Sequence, residues 1–372
     1  MTTATRASGD AVQIDDDYNR RAVDLASRLM EARRSAIADA PPGPVDRDAV
    51  FDDRNRVGLG VTREYERMGN RPVSQALQDR ADARGVHFEH LGITLGTVIH
   101  GVDLKGSLDE ETIAFLRAVL LERKVIFFRD QHLDAEQQVA FGRAFGELDA
   151  FPFGRLGSDP FILEIVHGEC SPGTENAWHT DVTWMERPSL GSIAQCVELP
   201  SRGGDTLFAD SHACFLGLPK AVQDHLRRLE GVNDYRNFLA GMPESMHDAF
   251  KAEIPFGVTH PLLRTHPETG KTALWFHGGF LRHDSLRDRE TGELLPAEEA
   301  RALVRFLQAQ HPRPEYQCRF SWTPGAIAFW DNRALQHYAA SDYYPERRVL
   351  RRVTVRGDVP RYEPGRDPLD AP

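Results

Sequence analysis

Trp178-His179-Thr180-Asp181-Val182-Thr183 is the stretch on which the reading of this chain turns. On a β-strand, residues i and i+2 project to one face. His179 and Asp181 then present an imidazole and a carboxylate to one point, about 6–7 Å apart along the strand. A second histidine, His337, lies far downstream in Phe329-Trp330-Asp331-Asn332-Arg333-Ala334-Leu335-Gln336-His337-Tyr338. It completes a set of two imidazoles and one carboxylate. Such a set on one side of an ion leaves coordination positions open, and it suits Fe(II), which takes neutral imidazole and carboxylate without thiolate. Zinc stays open as an alternative. A catalytic zinc more often takes three histidines or a His-Glu-x-x-His helix, and the sequence has no such helix motif. Taken alone, the tripeptide also reads as an ordinary surface strand, and His337 as a core histidine among aromatics. With 15 histidines in the chain, the choice of His337 needs support from elsewhere.

That support comes from Glu346 to Arg356. Val349, Val353 and Val355 share one strand face, and Arg348 and Arg352 share the other, their roots about 13 Å apart. One reading is an amphipathic surface strand with a solvated basic face. The other has the arginines lining an interior, where a guanidinium is costly without an anion. Arginine forks bind carboxylates bidentately, so Arg348 is a candidate for the far end of a dicarboxylate. Gly203-Gly204-Asp205-Thr206 follows the apolar run Ile193 to Leu199. It reads as a hairpin turn, and equally as a device that sets the Thr206 hydroxyl at the start of the next strand, ready to donate to a carboxylate.

Around these motifs the pattern is of short strands, Gly-rich turns and peripheral helices. A helix is predicted from Asp15 to about Ala38, ended by Pro41-Pro42-Gly43-Pro44. Residues 45–85 are charged and weakly patterned. Residues 1–85 are therefore read as an N-terminal extension, partly helical and partly disordered, that packs on the main body or on a partner subunit. The main body spans 86–362, and 363–372 form a C-terminal tail. Ile93 to Leu104 reads as a hairpin or edge strand. Ser107-Leu108-Asp109-Glu110 resembles a capping box ahead of a helix to about Arg123. Lys124 to Phe128 reads as a buried strand, and helices follow near 135–145, 219–229 and 296–309. The fold class is mainly β with flanking helices, a double-sheet β-roll.

Composition narrows the function. The 372 residues, 41% hydrophobic with 20 Phe, can bury a sizeable core, and the net charge is -11. No basic field is present to favour nucleic acid or an anionic membrane. The four cysteines show no Cys-x-x-Cys pattern, so a disulfide framework or a zinc ribbon is not expected. No apolar h-region opens the chain and no apolar stretch is long enough to span a bilayer. A reduced, soluble, cytoplasmic protein is the expectation.

Five blocks in order resemble the taurine dioxygenase (TauD/TfdA) family of Fe(II)- and 2-oxoglutarate-dependent dioxygenases. They are Trp178 to Thr183, Gly203 to Phe208, Thr265-His266-Pro267-Glu268-Thr269-Gly270-Lys271, Trp330 to Arg333, and Gln336-His337-Tyr338-Ala339. Val125 to Gln131 matches the family's early strand as well. The resemblance covers about 88–360. It implies a double-stranded β-helix (jelly roll), a homo-oligomer, a small-molecule substrate, Fe(II), 2-oxoglutarate as co-substrate and O2. It makes His179, Asp181 and His337 the iron ligands, gives Arg348 and Thr206 to 2-oxoglutarate, and turns Arg352 toward an anionic substrate group. The chain departs from the taurine pattern. Phe151 and Gly154 stand where a histidine and a tyrosine contact sulfonate, and Glu175 replaces an asparagine. Phe151, Glu175, Val182 and Arg352 are thus the candidate substrate residues, with Arg155 or Arg236 as further anion contacts, and a substrate other than taurine is expected. Two alternatives compete: a metal-dependent β-roll oxygenase that needs no 2-oxoglutarate, and a non-catalytic binding protein on the same scaffold.

Overall fold

A computed structural model of the chain describes residues 17–38, 55–153, 155–156 and 159–370. The chain divides into two compact units, Met1–Val50 and Phe51–Pro372. In the first, the helix Asp17–Ala38 forms as the apolar spacing predicts. Residues 1–14 and the Pro41 to Pro44 stop lie outside the described residues.

The second unit is organised by period-2 alternation. In Val125–Phe128 all four side chains are buried, because successive residues feed two different cores. Ile126 and Phe128 point to the helices Glu110–Arg123 and Ala135–Arg143, where they meet Phe115, Leu116, Val119 and Phe141. Val125 and Phe127 point the other way. This strand lies within a nine-stranded sheet in the order His87–His90, Thr97–His100, Val125–Phe128, Ile327–Asp331, Gly191–Glu198, Arg348–Val355, Ile162–His167, Arg155–Leu156, with Leu148–Asp149 also on Arg348–Val355. A three-stranded sheet, Gln317–Phe320, Thr206–Asp210 and Leu335–Ala339, packs against its inner face. Rings from the two sheets interlock: Phe127 stacks on Phe320 at 4.1 Å and meets Phe208 edge-on at 5.5 Å. The predicted β-rich architecture with flanking helices is what forms.

Several boundaries move. The first core helix is capped by Asp109, whose carboxylate accepts from Thr112 N–H, rather than by a box starting at Ser107. Asp134 and Gln137 form the reciprocal capping box of the second. Residues read as weakly patterned hold two helices, Arg56–Arg67 and Gln75–Ala83. Leu77 and Ala81 join the core beside Phe115. The pattern looked weak because its centre is a charge: Glu64 is fully buried, with Lys124 Nζ at 2.9 Å, Lys271 Nζ at 2.9 Å and Arg67 Nε at 2.8 Å. The far end is anchored too. Asp367 accepts from Arg67 and from the Thr272 amide, both at 2.7 Å, and Asp370 from Arg227 Nε at 2.9 Å. The compact unit therefore runs through the boundaries drawn at 85 and 362. All four cysteines are free. Among the described residues no helix is long and apolar enough to cross a membrane.

Candidate active site

His179 and Asp181 do not sit on a strand. His179 makes an isolated bridge with His337: the His179 amide donates to the His337 carbonyl at 3.0 Å and the His337 amide to the His179 carbonyl at 2.7 Å. The chain then turns, and Val182 adopts φ +48°, a left-handed conformation rare for a β-branched residue. The turn, not a pleat, brings the carboxylate round to the imidazole. His179 Nε2 and His337 Nε2 lie 3.8 and 3.9 Å from Asp181 Oδ1. Among the described residues these three form the group able to hold a metal, each with a ligand atom within 4.8 Å of the others.

The imidazoles are prepared for an ion. His179 Nδ1 lies 2.7 Å from the Ala177 carbonyl. A carbonyl only accepts, so Nδ1 carries the proton and Nε2 keeps its lone pair. Burial pushes His337 down to about 3, so this ring is neutral at physiological pH. It packs between Trp330 and Phe208, with centroids at 4.8 and 6.2 Å. Asp181 is held by its other oxygen: Oδ2 accepts from Ser192 Oγ at 2.8 Å and from Asn332 Nδ2 at 3.1 Å. Asn332 is itself oriented by Trp330 Nε1 at 3.0 Å and donates to Ser189 Oγ at 2.8 Å. Oδ1 is left facing both imidazoles and Arg352 Nη1, the latter at 3.1 Å. Burial alone would raise the carboxyl, but Arg352 and the two histidines outweigh it and hold Asp181 far below its usual range.

A second site lies alongside. Arg348 is buried, and its Nε and Nη2 have no hydrogen-bond partner among the described residues. Orphaned donors on a buried guanidinium call for an anion. Thr206 Oγ accepts from Trp322 Nε1 at 3.0 Å, which leaves its own proton to give away. Gly204 stands at φ +74°, and a Cβ there would lie 3.1 Å from both Cδ and Nε of Arg348. The glycine pair does not close a hairpin, because the strands on either side belong to different sheets. It crosses between the sheets and keeps the guanidinium clear. These donors fit the distal carboxylate of 2-oxoglutarate.

Beside the triad is an apolar cluster rich in aromatic rings. Phe151, Phe153, Val182, Tyr235, Phe238 and Phe280 belong to one cluster. Phe153 stacks on Phe238 at 4.8 Å, and the Arg352 guanidinium lies 5.6 Å from the Phe151 ring. Three of the four candidate substrate residues, Phe151, Val182 and Arg352, are thereby brought together. Glu175 is not among them: its Oε2 lies 2.9 Å from His167 Nε2, on the strand next to Arg348. Arg236 is committed to Asp234 at 2.6 Å, and the Arg155 side chain lies outside the described residues. Ser192, Trp322 and His277 were not singled out from sequence. His277 has its ring 5.4 Å from that of His179 and 3.8 Å from that of Phe280.

Residues 87–354 match the Taurine catabolism dioxygenase TauD, TfdA family. The chain belongs to the TauD/TfdA family. It is 34% identical over 275 residues to the alpha-ketoglutarate-dependent sulfate ester dioxygenase of Pseudomonas putida, covering 72% of this chain and 88% of that protein. It is 33% identical over 276 residues to an alkylsulfatase of Acinetobacter baylyi, covering 71% and 83%. The crystal structure of a taurine dioxygenase from Burkholderia xenovorans superposes with a TM-score of 0.62 at 34% identity, covering 74% of this chain and 92% of that one. This TauD/TfdA protein is an Fe(II)- and 2-oxoglutarate-dependent dioxygenase, an oxidoreductase that consumes O2.

Proposed function

We propose that this TauD/TfdA dioxygenase oxidises a small organic anion with an apolar alkyl or aryl body, of the sulfate ester class rather than taurine. We also read the two-sheet sandwich as the family's jelly roll. The observation that carries the substrate reading is the aromatic cluster beside the triad, with Arg352 standing between the Phe151 ring and Asp181. An alkyl chain gains by leaving water for such rings, whereas the short polar taurine offers them little apolar surface. The relatives named for sulfate esters support the same class.

His179, Asp181 and His337 would hold the iron, and Arg348 with Thr206 the far carboxylate of 2-oxoglutarate. Iron with 2-oxoglutarate and O2 supplies the oxidising power to hydroxylate an unactivated carbon, with succinate and CO2 as by-products. The protein does the placing. Ser192 and Asn332 keep Asp181 turned so that one oxygen faces the imidazoles. The aromatic wall excludes water and fixes the carbon body, and Arg352 meets the anionic head. For an alkyl sulfate, hydroxylation at the ester carbon gives a hemiacetal-like sulfate that collapses to an aldehyde and releases hydrogen sulfate.

Purified protein given Fe(II) and 2-oxoglutarate should release succinate and sulfate in equal amounts from n-hexyl sulfate, and little succinate with taurine. Turnover of taurine with none of n-hexyl sulfate would overturn the substrate class.

A further inference from the structure

His277 lies between the triad and the aromatic cluster, since its ring neighbours His179 on one side and Phe280 on the other. It is not one of the three groups whose ligand atoms cluster. Its tautomer is fixed by its own loop: the amides of Gly279 and Phe280 donate to Nδ1 at 2.9 and 3.2 Å. Amides only donate, so Nδ1 is an acceptor and the ring proton sits on Nε2. The loop is shaped for this. A Cβ at Gly278 would lie 2.1 Å from Gln308 Nε2, and one at Gly279 would lie 3.1 Å from the His277 ring. Nε2–H, on the opposite edge of the ring, has no hydrogen-bond partner among the described residues.

A neutral N–H donor held between an ion site and an aromatic cluster stands where the polar end of a substrate would meet it. Arg352 also bridges the triad and the cluster, touching Asp181 on one side and Phe151 on the other. We infer that His277 is a specificity-determining residue, whose Nε2–H donates to an oxygen of the substrate's anionic head group opposite the charge supplied by Arg352. This rests on the proposed substrate class. A neutral donor adds direction without adding charge. It favours head groups that present an oxygen on the side away from Arg352, such as sulfate.

The test is calorimetric binding of n-hexyl sulfate to the anaerobic Fe(II)–2-oxoglutarate form, with kcat and KM measured in parallel. His277→Phe keeps a ring and removes the donor, and His277→Gln puts an N–H back near the Nε2 position. The expected result is that H277F binds 2-oxoglutarate within about twofold of the wild type but n-hexyl sulfate about 10- to 100-fold more weakly. The loss should appear in KM more than in kcat, with partial recovery in H277Q. Wild-type affinity for n-hexyl sulfate in H277F overturns the inference while leaving the proposed function standing. Equal loss of 2-oxoglutarate and substrate, without recovery in H277Q, assigns the residue a structural role and also overturns it. Absence of n-hexyl sulfate binding by the wild type overturns both readings.

Discussion

At Arg348 a single side chain bears most of the weight of the co-substrate proposal. Its buried, unpartnered Nε and Nη2 define what must bind beside them. Replacing it with methionine keeps the apolar stem and removes both donors. Anaerobic titration should show 2-oxoglutarate affinity falling about 100- to 1000-fold, with Fe(II) binding to the triad unchanged. The burial of Arg348 was legible because Arg348 and Arg352 share one face of a strand whose other face carries Val349, Val353 and Val355, and a guanidinium has no inexpensive place in an interior. His277 was not legible. A histidine beside two glycines carries no spacing signal, and its meaning comes from where its loop lands. Glu175 shows the converse: aligning it with a family position put it in the substrate pocket, whereas its carboxylate pairs with His167.

Among the elements, the crossing at Gly203 and Gly204 joins the nine-stranded sheet to the three-stranded one. Gly204→Ala would push a methyl toward Arg348 in a backbone region that L side chains resist. The expected outcome is a loss of about 1 kcal/mol in stability by urea denaturation and a several-fold weaker 2-oxoglutarate titration with the triad intact. The strands themselves could be read from alternation, and Val125–Phe128 falls where the sequence places it. The bend at Asp181 could not, since Val182 is among the residues least suited to φ +48°. The pair His179 and Asp181 was recognised by its chemistry, while the backbone that joins them was mistaken for a strand. The helix Arg56–Arg67 escaped for a related reason: its inward-facing Glu64 breaks the apolar stripe that marks a buried helix face.

For the whole molecule, that glutamate is the hub. Glu64 meets Lys124, Lys271 and Arg67, Lys124 reaches Asp210 at 3.0 Å, and Arg67 reaches Asp367. Its lysine and arginine neighbours hold the carboxyl well below the usual range against the cost of burial. Glu64→Gln should destabilise the protein by about 3–5 kcal/mol, because it strands buried positive charge. An equilibrium urea curve with a lowered midpoint and an unchanged slope would record this.

The same hub sets an order in time. Arg67 and Asp367 are 300 residues apart in sequence yet bonded at 2.7 Å. A ribosome delivers them roughly 15–60 seconds apart at ordinary synthesis rates. Until Asp367 and Asp370 have left the exit tunnel, Arg67, Arg227 and the Thr272 amide wait without these carboxylates. Contacts among the earlier elements can form before these carboxylates emerge, but the pairs that Asp367 and Asp370 make close only once they do, and until then water covers charges that the folded protein buries.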